Sequence, residues 1–270
     1  MIESFIFGAV QGIAEWLPVS SEGLIVLLGM HGPFAIRTEQ LIPLALFLHL
    51  GTALAALVYF RRDVWELLAT CFRWRRSSEE QRTFLSFLIL ATFVSGVIGV
   101  LLLRIVGTLV LDAPIGIITG GIGVLLLVTG VLQLRTSRGG QRDIADLRLA
   151  DALWLGLAQG LAALPGLSRS GLTVAALLLR RVDGASAFRA SFLLSIPIVI
   201  LGNIVLGFRE TLADWSSMAM APAALALAVL ISFVFGLATI RALIACAQRV
   251  RFGKLVIGFG ILMIVAAFVV

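Results

Sequence analysis

The chain has 270 residues, 60% of them hydrophobic and 13% charged, with a mean hydropathy of +1.08. A soluble domain of this length needs more polar surface, so the composition points to a polytopic membrane protein. The excess of 21 Lys and Arg over 15 Asp and Glu reads as membrane orientation and not as nucleic-acid binding.

In chain order, Met1-Ile2-Glu3-Ser4 lacks the basic region of a secretory signal, so the first apolar segment is expected to remain. Apolar spans are predicted at about Leu41 to Phe60, Phe84 to Val106, Ile115 to Leu134, Phe192 to Phe208, Ala221 to Ala242 and Leu255 to Val270. Two further apolar stretches, Ile2 to Met30 and Ala152 to Leu179, are broken by polar residues. Cys71 and Cys246 make neither a disulfide framework nor a metal motif. The Gly-rich patch Gly116 to Gly123 suits close helix packing, within the bundle or between the protomers of a homodimer.

The two breaks are copies of one another. Gln11-Gly12-Ile13-Ala14-Glu15-Trp16-Leu17-Pro18-Val19-Ser20-Ser21-Glu22-Gly23 returns about 148 positions later as Gln159-Gly160-Leu161-Ala162-Ala163-Leu164-Pro165-Gly166-Leu167-Ser168-Arg169-Ser170-Gly171. In hydrocarbon a central Arg or Asp costs roughly 2.5–3.5 kcal/mol on insertion scales. These residues must therefore face protein, water or a ligand.

If each broken stretch enters and leaves on one side, the six spans alternate simply. One set of connections then collects Arg61, Arg62, Arg73, Arg75, Arg76 and Arg82, then Arg135, Arg138, Arg142 and Arg148, then Arg180, Arg181 and Arg189, and finally Arg241, Arg249, Arg251 and Lys254. The other set holds only Arg37, Arg104 and Arg209. Such a bias places the rich side in the cytoplasm and both termini outside.

The expected fold is all-α: a polytopic membrane helical bundle of two inverted repeats, each a broken re-entrant hairpin plus three transmembrane helices. An odd number of spans per half forces the inversion, and broken helices of inverted repeats meet near the midplane. We read residues 1–270 as a single membrane domain. Its repeats cover about 1–134 and 150–270, joined by a linker at 135–149 around Gly139-Gly140.

Pro18 and Pro165 each remove a donor and disfavour helix before them, so helices are predicted to stop near Leu17 and Leu164. New helices should restart at Ser20 or Ser21 and at Ser168 or Ser170, all good N-caps. Two helix starts facing one another make an anion site. Arg169 adds a permanently charged fork suited to phosphate oxygens. The plainer reading is that the serines only cap buried helices while Arg169 pairs with Glu15 or Glu22.

Gln11 and Glu15 stand at i and i+4 on one helical face. With a phosphate nearby, that face would suit a divalent cation, Mg²⁺ or Ca²⁺, which takes oxygen ligands. It would equally suit hydrogen bonds to the opposite repeat. Glu22, in a first helical turn, is favoured there by the dipole alone. Glu15 ranks above it as functional.

Together with Phe47-Leu48-His49-Leu50-Gly51-Thr52 and Ala190-Ser191-Phe192-Leu193-Leu194-Ser195-Ile196-Pro197, these motifs resemble the undecaprenyl-diphosphate phosphatase family, the UppP or BacA type. The similarity spans nearly the whole chain, and Pro165-Gly166-Leu167-Ser168-Arg169-Ser170-Gly171 is its most specific element. The resemblance implies hydrolysis of a polyprenyl diphosphate to the monophosphate and inorganic phosphate, with a divalent cation. It also implies recycling of a lipid carrier for cell-envelope glycan synthesis, bacitracin resistance, and a site open to the outer face of the cytoplasmic membrane.

Carried onto this chain, the resemblance makes Glu15, Ser21, Arg169 and His49 the expected catalytic set. Ser20, Ser168, Ser170, Gly166, Gly171 and Thr173 would bind phosphate, and Glu15 with Gln11 would hold the cation. The family commonly carries a catalytic histidine where this chain has Leu24. His31 lies too far along to be its obvious substitute; His49, on a membrane-embedded helix start, is the better candidate, with a structural hydrogen-bonding role as its plainer reading. Either Ser21 or a metal-bound water would attack. The alternative from another class is a polyprenyl-phosphate flippase that binds phosphate without cleaving it. No Walker-type loop or Cys-x-x-Cys pair is present.

Overall fold

The computed structural model describes residues 1–17, 19–34, 36–110, 114–136, 140–164, 166–204, 220–249 and 253–268. Among them are eleven α-helices, two single-turn 3-10 helices and no strand. The first half contains α1 (Ile2–Ala14), α2 (Ser21–His31), α3 (Thr38–Tyr59), α4 (Arg61–Phe72), α5 (Glu79–Val110) and α6 (Ile115–Arg135). The second contains α7 (Leu149–Leu161), α8 (Arg169–Leu179), α9 (Gly184–Gly202), α10 (Pro222–Arg249) and α11 (Gly253–Ala267).

Both breaks occur where the repeated motif places them. Ser20 and Ser168 leave the helical region, and their hydroxyls accept from Gly23 N at 3.1 Å and Gly171 N at 3.2 Å, capping α2 and α8. The preceding helices stop earlier than expected, at Ala14 and Leu161 instead of near Leu17 and Leu164. Tight turns, Leu17 N to Ala14 O and Leu164 N to Leu161 O, take up the difference. Pro18 and Pro165 themselves lie outside the described residues.

Among the described residues four helices are long and apolar enough to cross a membrane: Glu79–Ile105, Gly116–Arg135, Gly184–Gly202 and Pro222–Ala242. A fifth crossing arises if Pro43–Tyr59 and Arg61–Phe72, bent by 81°, count as one broken span. The expected span from Leu255 to Val270 is realised as α11, only 15 residues long. Residues 269 and 270 lie outside the description. Helix α9 begins at Gly184, two turns before the expected Phe192, because the Asp183 carboxylate accepts from Ala185 N and Ser186 N. Helix α5 likewise starts early, where Ser78 and Gln81 exchange side-chain-to-backbone bonds. Helix α4 was expected only as a connection.

Small residues let the halves interlock. Helix α1 lies on α10, and a Cβ added at Gly8 or Gly12 would come within 2.4 Å of Ala228 O or 2.7 Å of Ser232 O. Helix α7 lies on α5 in the same manner, through Gly156 against Ala91 O and Gly160 against Ile98. Helices α6 and α11 meet glycine to glycine, Gly123 with Gly260 and Gly130 with Gly253. Gly123 therefore serves packing within the chain. Trp16, fully buried, donates to Gly236 O at 3.0 Å and meets the Phe192 ring edge-on at 5.4 Å.

Where the linker meets α7, the buried Asp151 carboxylate takes Arg142 Nη2 at 2.5 Å, Arg180 Nε at 2.7 Å and Arg148 N at 2.9 Å. The Asp151 hydrogen bond holds the Arg142 guanidinium above its ordinary pKa. This knot fastens the linker to the ends of α7 and α8.

Candidate active site

Side chains from four helices converge on Glu15, the residue that closes α1. Its Oε2 accepts from Gln11 Nε2 at 2.9 Å and from the Ser21 hydroxyl at 2.9 Å, and lies 3.2 Å from His49 Nε2. Its Oε1 is paired with Arg169 Nη2. The helical spacing of Gln11 and Glu15 makes the first contact, and the break turns α2 back so that Ser21 makes the second. His49 arrives from α3 and Arg169 from the first turn of α8.

The protonation of His49 follows from its partners. Its Nδ1 lies 2.6 Å from Ala45 O, and a carbonyl oxygen only accepts, so Nδ1 carries a proton. Nε2, on the other side of the ring, faces Glu15 Oε2 at 3.2 Å.

The second break is stapled onto the first. Ser168 Oγ donates to Val19 O at 3.1 Å and Ser170 Oγ donates to Leu17 O at 3.0 Å. Both acceptors are backbone carbonyls freed by the interrupted helix. The starts of α2 and α8 are thereby brought together, each presenting first-turn N–H groups. Arg169 spends Nη2 on Glu15, and its buried Nη1 has no partner.

A cavity of about 1040 Å³ opens from this cluster. Its polar end is lined by Glu15, Ser20, Ser21, Glu22, His49, Ser168, Arg169 and Ser170. The rest is a mainly apolar wall from α4, α5, α7 and α9, running along α5 from Leu85 to Leu103. At 1.5 Å per residue the eighteen steps from Leu85 to Leu103 cover about 27 Å, close to the thickness of a hydrocarbon core. One charged end joined to a long apolar wall is the shape of an amphiphile.

Gly166, Gly171 and Thr173 do not line the cavity. Gly166 has φ +98 and sits against Ile122 O, a turn that disfavours any side chain. Gly171 N caps into Ser168, and Thr173 Oγ1 contacts Arg169 O and, at 2.6 Å, Ser191 Oγ. All three shape the break instead of facing the cavity, as does the plainer capping role of Ser168. Gln11 is buried behind Glu15, with Oε1 lacking a donor. Polar wall residues that sequence reasoning passed over are Thr92, Ser95, Gln159 and Asn203. Only Gln159 carried a signal, as the repeat counterpart of Gln11; it donates to Ser95 Oγ at 3.1 Å.

Comparison with known proteins gives one consistent result. The family model of the bacitracin resistance protein BacA matches residues 4–269. A protein of Methanococcoides burtonii named undecaprenyl-diphosphatase is 40% identical over 270 residues, covering 98% of each chain. One of the same name from Haloarcula marismortui is 37% identical over 280 residues, covering all of this chain and 98% of its own. Another, from Desulforudis audaxviator, is 44% identical over 199 residues, 73% of this chain and 72% of its own.

Proposed function

We propose, from the premise that the chain belongs to the family of the bacitracin resistance protein BacA, that it hydrolyses a polyprenyl (undecaprenyl) diphosphate to the monophosphate and inorganic phosphate. The observation that carries this reading is the cluster itself. One carboxylate accepts a serine hydroxyl, and a buried arginine keeps an unpaired donor at the head of an amphiphile-shaped cavity.

In this mechanism the terminal phosphoryl group lies at the starts of α2 and α8. Arg169 Nη1 and the free N–H groups receive the charge that builds on its oxygens. Ser21 Oγ attacks the terminal phosphorus as its proton passes to Glu15 Oε2, and the bond to the bridging oxygen breaks, releasing prenyl monophosphate. Glu15 returns that proton to the departing monophosphate; water then attacks the phosphoserine as its proton passes to Glu15, which hands it to Ser21 Oγ as the phosphorus–serine bond breaks and inorganic phosphate leaves. His49, 3.2 Å from Glu15 Oε2, positions the carboxylate for both transfers.

A divalent cation, Mg²⁺ or Ca²⁺, belongs to the same proposal. Among the described residues no three His, Cys, Asp or Glu side chains gather as a cage. The orphaned Gln11 Oε1 beside Glu15 is the protein oxygen that fits, so diphosphate oxygens would supply most of the ligands. Bound there, the ion would neutralise phosphate charge.

Our reading extends to a site facing the outer side of the cytoplasmic membrane, carrier recycling for envelope glycans, and inverted halves. The glycine contacts support the inversion: α1 on α10 repeats as α7 on α5, while α6 and α11 pair with each other. The flippase alternative is set aside, since the relatives above carry the name of a phosphatase. Phosphate release by the purified protein tests the proposal. Cation-dependent turnover, largely lost in Glu15→Ala and Arg169→Ala, is expected; absence of release from folded wild type rejects it.

A further inference from the structure

We infer that the end of the cavity floored by α4 seats the distal part of the prenyl tail, so that α4 reads tail length. The identity of the occupant rests on the phosphatase reading; the shape of the seat does not. Val64, Leu67, Leu68 and Cys71 all line the cavity. They fall at i, i+3, i+4 and i+7, one continuous apolar stripe on one side of the helix. Arg61, Arg62 and Glu66 occupy other positions on α4.

The stripe is held in place yet left open. Helix α4 turns from α3 by 81° and meets α5, and Asp63 binds Arg189 Nε of α9 at 2.7 Å. It is thus fixed between the helices that wall the cavity. Leu68 nevertheless remains 48% exposed, and Cys71 is exposed. Val64 and Leu67 pack partly against the core, and the apolar surface that Leu68 and Cys71 leave open to the cavity is stabilised by an apolar occupant. The same cavity is continuous with Glu15, Ser21 and Arg169, so the amphiphile whose phosphate binds there supplies that occupant.

Reach decides which tails touch α4. His49, at the phosphate end, precedes the last residue of α3, Tyr59, by ten positions, about 15 Å along the helix. A geranyl chain has eight main-chain carbons and, at no more than about 1.5 Å per bond, spans less than about 12 Å. It ends short of α4, whereas an undecaprenyl chain passes it.

The test compares undecaprenyl and geranyl diphosphate in wild type and Leu68→Trp, a change at a half-exposed position that fills the seat without disturbing the core. Expected is a fall of about tenfold in kcat/KM for the long substrate, with the short one unchanged. Equal losses for both, or none for the long one, overturn the inference. A second readout needs no turnover: in a Cys246→Ala background, undecaprenyl monophosphate should slow thiol labelling of Cys71 and geranyl monophosphate should not. Absent protection by the long lipid also overturns it. If wild type hydrolyses neither diphosphate, the phosphatase reading fails while Cys71 protection still decides the question of the seat.

Discussion

The two breaks share a backbone device and divide its chemistry. Across the repeat, Ser20 matches Ser168 and Gly23 matches Gly171, and in both copies the serine caps a new helix. Glu15, however, is matched by Ala163, and Ser21 by Arg169. The first copy carries the carboxylate and the hydroxyl it accepts from, whereas the second carries the cation and the serines that donate across. Duplication has thus produced complementary halves, since two copies of Glu15 would have placed like charges in one buried site.

That division is open to test, beginning with its centre. Glu15→Gln preserves shape but cannot take the Ser21 proton, so turnover should fall by about 10²–10⁴-fold; a loss under tenfold in a phosphate-release assay would remove Glu15 as base. Arg169→Ala should cost about 10²–10³-fold in kcat. An equal loss in binding of a non-hydrolysed phosphonate analogue would reassign Arg169 to ground-state binding. His49→Gln keeps a side-chain amide beside Glu15 but removes the imidazole. Turnover should fall about tenfold, and an unchanged kcat would make His49 structural. The smallest effect belongs to the staple: Ser170→Ala should lower stability by about 1 kcal/mol, seen as a lower thermal midpoint with kcat nearly intact. A large kcat loss without destabilisation would move Ser170 into phosphate binding.

Sequence reasoning found what local chemistry encodes. Serines after an apolar helix announce a cap, and Ser20 and Ser168 are the caps. An uninterrupted apolar run announces a span, and α6 falls within a residue of its expected limits. Helix α4 escaped notice because its arginines and Glu66 dilute the apolar signal, leaving a stripe visible only once a helix is assumed. The start of α9 was missed because Val182-Asp183-Gly184 reads as a turn, although its Asp is the cap. The contacts of Thr173 with Ser191 and of Ser168 with Val19 bring together positions that no local pattern pairs. Glu15, Ser21, His49 and Arg169 were legible as residues, but their meeting on one carboxylate was not.

Because the hydroxyls of Ser168 and Ser170 end on the main-chain oxygens of Val19 and Leu17, the clasp is indifferent to which side chains those two positions bear. Leu17 and Val19, which pack in the core, can change within the limits of that packing while the register of the opposing bend persists. The burden of fidelity falls on one partner only: a lineage that alters Leu17 keeps the clasp, and one that alters Ser170 loosens it.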